Sequence, residues 1–217
     1  MKYKNIIWDL DGTLMNTLED LADATNFALR SFGMPERTIE EIRQFVGNGI
    51  KQLIMRAVPD GENNPQFETV FSEFKEYYMV HCQDHTDLYP GIAETLRELS
   101  AKGFRMAIVS NKIQEGVSEL YNKFFSETIA VAVGERPNVQ RKPAPDMVRI
   151  AMEELGCTEE NTIYIGDSDV DIMTARNSGL QCISVLWGFR DKEFLSAHGA
   201  DRFAILPADI IPMVEQG

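Results

Sequence analysis

Near the N-terminus the sequence reads Ile6-Ile7-Trp8-Asp9-Leu10-Asp11-Gly12-Thr13-Leu14, and this stretch decides the fold. The apolar residues at its start predict a buried strand that runs out into a loop. Asp9 and Asp11 stand where that strand ends. Because they alternate around Leu10, an extended backbone would point both carboxylates to the same face. Gly12 permits a sharp turn or a close approach of the backbone to a ligand.

The acid pair has two interpretations. Two neighbouring carboxylates repel each other unless a cation or a proton compensates them, and Mg²⁺ is a hard cation that binds carboxylate oxygens. With such neutralisation, one carboxylate could attack phosphorus while the other transfers a proton. An acidic turn at the end of a strand is the commoner arrangement, so Asp9 and Asp11 alone do not decide between the two.

From residue 89 onward, helical patterns alternate with short apolar strands, which are predicted at 105–110, 128–133, 162–165, 182–186 and 203–206. This alternation is typical of a parallel sheet wrapped by helices. Residues 16–87 show helical periodicity and no strand pattern, and they are far longer than an ordinary connection. We therefore predict a Rossmann-like α/β core formed by residues 1–15 and 88–217. An all-helical cap domain, residues 16–87, would be inserted in it, although these helices could instead pack on the sheet.

Ligands of open parallel sheets bind beyond the carboxyl ends of the strands. Three later segments carry polar groups to that edge: Ser110-Asn111-Lys112, Lys142-Pro143 and Gly166-Asp167-Ser168-Asp169-Val170-Asp171. Each has a plainer interpretation, since Ser110 could cap a helix, Lys142 could be a solvated surface residue, and acids are favourable at the start of a helix. Three acids within one helical turn exceed what capping requires, which favours cation binding.

The composition argues against several classes of protein. The formal net charge is −13 and no basic cluster stands out, so nucleic acid is not expected as a partner. No apolar run approaches the ~20 residues needed to cross a membrane, and the N-terminus does not resemble a signal peptide. The 3 cysteines form no Cys-x-x-Cys pair. We expect a cytoplasmic protein without a membrane partner.

The four segments, in this order and each at a strand end, resemble the motifs of haloacid dehalogenase (HAD) superfamily phosphatases. The resemblance covers essentially the whole chain, because residues 16–87 are similar to the helical cap of one subgroup. That subgroup usually has Asp where this chain has Asn16. Asn caps a helix about as well as Asp, so the hinge of the cap is expected to be retained.

The resemblance implies a role for each residue. Asp9 would be the nucleophile that accepts the phosphoryl group. Asp11 would protonate the leaving oxygen and then activate water. Lys142 would neutralise charge on the nucleophile and the phosphate. The phosphoryl oxygens would be held by Ser110 and by backbone amides near Asn111 and Thr13.

The resemblance also implies a Mg²⁺ site. Asp9, the backbone carbonyl of Asp11, and Asp167 would hold the ion, with support from Asp171. This agrees with the physical demands of phosphoryl transfer, which needs in-line positioning and concentrated positive charge.

The implied function is Mg²⁺-dependent hydrolysis of a small phosphorylated metabolite through an aspartyl-phosphate. Residues 46–50, 88–91 and 187–190 resemble those of phosphoglycolate phosphatases, and Gly47, Asn48 and Gly49 of the cap are candidate substrate-binding residues. A pyrophosphatase, a sugar-phosphate phosphatase and a β-phosphoglucomutase-like phosphomutase remain alternatives. A dehalogenase would need neither Asp11 nor an acidic metal site. The sequence leaves a monomer and a homodimer equally open.

Overall fold

The computed structural model describes residues 2–216. The chain divides into two compact units. One is formed by the chain up to Leu14 together with the chain from Leu88 onward, and the other is Met15–Asp87. No helix among the described residues is both long enough and apolar enough to cross a membrane.

Within residues 2–216 the strands are β1 (Asn5–Trp8), β2 (Met15–Asn16), β3 (Asp87–Leu88), β4 (Arg105–Ile113), β5 (Val131–Glu135), β6 (Thr162–Gly166), β7 (Gln181–Val185) and β8 (Phe203–Ala204). The α-helices of the same residues are α1 (Leu18–Ser31), α2 (Ile39–Phe45), α3 (Ile50–Ala57), α4 (Phe67–His81), α5 (Ile92–Ala101), α6 (Gln114–Leu120), α7 (Asp146–Leu155), α8 (Asp169–Asn177), α9 (Lys192–Ala197) and α10 (Ile210–Gln216).

The larger unit is built on a six-stranded parallel sheet in the order β5-β4-β1-β6-β7-β8. The α/β fold class predicted from the alternation of strands and helices is therefore confirmed. Strand β1 lies between β4 and β6, and Trp8 at its end is level with Ile108 and Ile165. This register brings the segments that follow β1, β4 and β6 to one edge of the sheet.

The core on one side of the sheet explains why these segments fold as predicted. Ile7, Val109 and Tyr164 project from neighbouring strands into a buried cluster with apolar residues of α7, including Met147 and Leu155. Both faces of β1 are covered, since all of its residues are buried. A strand enclosed on both faces requires a continuous apolar run, which is what residues 6–8 provide.

The smaller unit contains α1 to α4. Thr38 and Glu41 form a capping box at the start of α2, and the segment that contains Gly47 and Gly49 separates α2 from α3. Asp20, in the first turn of α1, accepts hydrogen bonds from the backbone amides of His85 and Thr86 at 2.9 Å each. This buried carboxylate ties the segment that leaves the unit to the helix that enters it.

Three details differ from the sequence predictions. Residues 16–87 are not free of strand, because β2 and β3 pair with each other where the chain enters and leaves this unit. Strand β4 does not end at Ser110 but continues to Ile113. Helices α9 and α10, of 6 and 7 residues, were not predicted, because helices this short show little periodicity.

Candidate active site

The site is organised by the end of β1. The backbone amide of Asp9 donates a hydrogen bond to the carbonyl of Ile165 at 2.9 Å, so Asp9 continues the pairing of β1 with β6 by one residue. The polar residues at the end of β4 and the acidic segment after β6 flank it on either side. Parallel strands deliver their carboxyl ends to the same edge, which is why segments far apart in sequence meet here.

Lys142 lies at the centre of a buried polar network. Its Nζ donates to Oδ1 of Asp9 at 2.6 Å, to Oδ1 of Asp171 at 2.8 Å and to the hydroxyl of Tyr164 at 3.2 Å. These contacts use all three donors of the ammonium group. The side chain is 3% exposed, so the surface interpretation of this lysine is wrong.

The charges of this network are unevenly balanced. Burial would lower the pKa of Lys142, but the carboxylates of Asp171 and Asp9 outweigh it and raise that pKa above its ordinary value. Burial, together with the charge of Asp171, also raises the pKa of Asp9 well above its usual range, against the opposing effect of Lys142. One lysine therefore does not compensate the acids gathered around it.

Asp171 is held on both of its oxygens. Oδ1 accepts from Lys142 and, at 3.0 Å, from the hydroxyl of Tyr164. Oδ2 accepts from the backbone amide of Ser168 at 3.1 Å and from its hydroxyl at 2.6 Å. Ser168 and Asp171 form the capping box of α8, so both the capping and the charge-cluster interpretations of this acid are correct.

Asp167 is fixed by the loop that follows β7. The backbone amide of Phe189 donates to its Oδ2 at 2.8 Å, and the Thr13 hydroxyl lies 3.3 Å from its Oδ1. Burial and the charge of Asp171 raise the pKa of Asp167 to about 7, although the Phe189 amide opposes the shift. Its environment therefore also favours a compensating cation.

Gly12 and Gly188 allow the backbone to approach Asp167 closely. A Cβ atom at either position would collide with the Asp167 side chain, and Gly12 also has a positive φ of 89°. Trp187 strengthens the contact, since its Nε1 donates to the carbonyl of Thr13 at 2.9 Å. The loop after β7 thus holds both the turn after β1 and the carboxylate of Asp167.

Asp11 has different partners from Asp9. Its Oδ1 lies 3.2 Å from Nζ of Lys112, and its Oδ2 lies 3.5 Å from Oγ of Ser110. The side chain of Asp11 is 21% exposed, whereas that of Lys112 is only 9% exposed. The two acids of the first motif are thus each paired with a separate lysine.

The carboxylates fit a divalent cation. Among residues 2–216, Asp9, Asp167 and Asp171 form a buried group in which each offers an oxygen within 4.8 Å of the others. Lys142 supplies a single positive charge to these three acids. Hard oxygen donors with an excess of buried negative charge are the donor set that Mg²⁺ prefers.

The structure brings together most of the residues predicted from the sequence. Asp9, Lys142, Asp167 and Asp171 form one network, as described above. Thr13 contacts Asp167, and the Asn111 side-chain amide donates to the carbonyl of Lys142 at 3.1 Å. Gly47, Asn48 and Gly49 lie in the other unit, between α2 and α3, where both glycines have positive φ.

Three contributors were given no role from the sequence. Lys112 was placed at this edge with Ser110 and Asn111, but its contact with Asp11 arises on the part of β4 beyond the predicted strand end. Tyr164 is a hydroxyl-bearing residue in an otherwise apolar strand. The Phe189 amide has no signature in the sequence, because any residue other than proline supplies the same donor.

A parallel sheet that brings two acid–lysine pairs and a buried carboxylate cluster to one edge is typical of a phosphatase with a Rossmann-like α/β fold. The sequence profile described as "Haloacid dehalogenase-like hydrolase" matches residues 6–185. The chain belongs to this family, and it is an enzyme of the phosphatase type.

Individual relatives agree with this assignment. A phosphoglycolate phosphatase of Vibrio parahaemolyticus is 30% identical, with coverage of 97% of this chain and 96% of the relative. Phosphoglycolate phosphatase 1 of Pseudomonas aeruginosa is 29% identical over 97% of this chain and 79% of its own length. A crystal structure from Lactobacillus delbrueckii subsp. bulgaricus, provisionally assigned as a phosphoglycolate phosphatase, is 35% identical with a TM-score of 0.94 and covers 99% of both chains.

Proposed function

We propose that this phosphatase is Mg²⁺-dependent and hydrolyses a small phosphorylated metabolite through an aspartyl-phosphate formed on Asp9. The observation that carries the proposal is the buried group of Asp9, Asp167 and Asp171 with Lys142 as its central cation. A carboxylate can attack a dianionic phosphate only if positive charge is concentrated at the same place.

In the first step, an oxygen of Asp9 bonds to phosphorus while the bond from phosphorus to the leaving oxygen breaks. Asp11 gives its proton to that oxygen, so the alcohol departs neutral. In the second step, water attacks phosphorus and releases the Asp9 carboxylate. Asp11 takes the proton from water, which returns both acids to their starting states.

The other residues would hold charge during these steps. Lys142 favours the charged form of Asp9, against the effect of burial, and holds its carboxylate in place through their 2.6 Å contact. Ser110, with backbone amides near Asn111 and Thr13, is proposed to bind the phosphoryl oxygens. Asp9, the carbonyl of Asp11, and Asp167 would hold Mg²⁺, which supplies neutralising charge for the phosphate when bound.

Asp171 is assigned to a supporting role. Both of its oxygens already accept hydrogen bonds from Lys142, Tyr164 and Ser168. Partners that orient a metal ligand are commonly engaged in this way. Asp171 would therefore position Lys142 and add negative charge beside the ion.

We propose phosphoglycolate as the preferred substrate, on the strength of the similarity to phosphoglycolate phosphatases over nearly the whole chain. The Met15–Asp87 unit is proposed to act as a substrate-selecting cap, with Gly47, Asn48 and Gly49 among its binding residues. Both glycines have a positive φ, and without side chains of their own they let a small anion approach the backbone amides of this turn.

A panel of phosphorylated metabolites assayed with Mg²⁺ and with EDTA tests this proposal. We expect phosphoglycolate to be hydrolysed fastest, EDTA to reduce turnover to background, and restored Mg²⁺ to recover it. Full activity in EDTA would contradict the metal assignment. Faster turnover of pyrophosphate or a sugar phosphate would contradict the substrate, and conversion of a sugar phosphate to its isomer would identify a mutase.

A further inference from the structure

We propose that Lys112 is a positioning residue for Asp11, which it holds in the orientation needed for proton transfer. The inference rests on the proposed function, because it assigns to Asp11 the acid–base role described above. It adds a second lysine to the site, with a task different from that of Lys142.

The direction of Lys112 is shown by its contacts at the end of β4. Ser110 and Lys112 both lie on this strand, which continues to Ile113 and whose pairing with β5 is irregular between Val109 and Ile113. Both reach Asp11, at 3.5 Å from Ser110 and 3.2 Å from Lys112. The backbone amide of Lys112 also donates to Oγ of Ser110 at 3.1 Å, which orients that hydroxyl.

The Lys112 side chain is held along its length. A Cβ atom added to Gly116 would lie 3.5 Å from the Cδ and Cε atoms of Lys112. The aliphatic part of the lysine therefore packs against the start of α6. With 9% of the side chain exposed, the ammonium group is largely shielded from solvent. A shielded ion pair is screened by salt much less than one on the surface.

Asp11 needs such a partner more than Asp9 does. Asp9 is buried between Lys142 and the acids that follow β6, whereas the side chain of Asp11, just before Gly12, is more exposed. A carboxylate at an open edge can adopt several rotamers, and a proton is transferred efficiently only from one within hydrogen-bond reach. Lys112 and Ser110 restrict that choice by contacting one oxygen each.

Lys112 itself exchanges no proton in this scheme. Asp11 gives a proton to the leaving oxygen and later takes one from water, while the ammonium group keeps its protons in both steps. Removing Lys112 should therefore matter only as long as Asp11 can transfer protons. If Lys112 instead bound the phosphate directly, its removal would lower the rate whether or not Asp11 could transfer protons.

A double-mutant cycle of Lys112→Met and Asp11→Asn tests the inference. Asp11→Asn alone should lower the rate on an alkyl phosphate by at least ~100-fold. Lys112→Met alone should lower kcat by about tenfold or more with little change in KM, as for other residues that orient a catalytic group. In the Asp11→Asn background, Lys112→Met should cost less than about twofold further, because coupled residues are not additive.

The same variants can be compared in single turnovers on two leaving groups. p-Nitrophenolate departs without a proton, so its release measures the first step even when Asp11 is replaced. We expect Lys112→Met to slow the release of an alkyl leaving group several-fold more than that of p-nitrophenolate. Lys112→Arg, which restores the charge, should recover part of the alkyl rate.

Lys102→Met is the matched control. Lys102 pairs with Glu215 at 2.8 Å and lies just before β4 begins, at the opposite end of that strand, so its loss should leave both rates unchanged. An equal loss from Lys112→Met with and without the Asp11 carboxylate would overturn the inference, as would a rise in KM alone. Failure of the wild-type enzyme to hydrolyse any phosphate ester would instead overturn the proposed function.

Discussion

An Asp9→Asn variant is expected to lose turnover by at least ~10⁴-fold, because the amide cannot act as the nucleophile in a mechanism that forms a covalent intermediate. The loss should be the same on phosphoglycolate and on p-nitrophenyl phosphate, since no leaving group compensates for a missing nucleophile. Initial rates on both substrates at saturating Mg²⁺ check this prediction.

The folding of this variant should not suffer. The pKa of Asp9 is raised by burial and by Asp171, so folding disfavours the charged carboxylate relative to the unfolded chain. A neutral amide removes that cost. Without added metal, we expect a melting temperature equal to or above that of the wild type.

Asp169→Asn provides the matched control for Asp9→Asn. Asp169 lies in the same acidic segment as Asp167 and Asp171 but does not join the buried group found among residues 2–216. Its replacement should leave turnover within a few-fold of the wild type. Substantial turnover by Asp9→Asn, with Asp169→Asn unaffected, would contradict the role of Asp9.

A Lys142→Met variant is expected to lose both activity and stability. Removal of one partner from a buried ion pair typically costs about 3–5 kcal/mol, because the other charge is left uncompensated in the interior. Here Asp9 and Asp171 would both lose their 2.6 and 2.8 Å contacts. Urea unfolding followed by circular dichroism measures the change, and added Mg²⁺ should recover part of it.

Lys102→Met again supplies the comparison, because its partner Glu215 is solvent-accessible and exposed ion pairs contribute little. Equal stability of Lys142→Met and Lys102→Met would mean that Lys142 does not compensate the buried acids. Full activity in a destabilised Lys142→Met variant would separate the stabilising role of this lysine from catalysis.

The sequence predicts the parts of this site that depend on chain order. Once β1, β4 and β6 are recognised as strands of a parallel sheet, Asp9, Ser110 and Asp167 must reach the same edge. The acidic segment after β6 is informative as well. It places three acids at the start of a helix, and capping alone requires fewer.

The remaining contacts depend on details that no local pattern records. Lys112 points to Asp11 because β4 continues past Ser110, and strand ends are the least certain part of any sequence prediction. The Phe189 amide reaches Asp167 only because two glycines permit the close approach. Tyr164 joins the network through a hydroxyl at the end of a ring that also belongs to the apolar core.

The position of the phosphoryl group on the enzyme tests the central claim most directly. The enzyme would be mixed with substrate and Mg²⁺, quenched within milliseconds, treated with borohydride to reduce the acyl phosphate, and mapped by mass spectrometry of its peptides. With p-nitrophenyl phosphate, whose leaving group needs no proton, Asp11→Asn should accumulate the intermediate, because only the second step then needs Asp11. We predict a modification at Asp9 and none at Asp11 in the wild type. Modification of Asp11, or normal turnover by an enzyme that never carries phosphate on Asp9, would contradict the account.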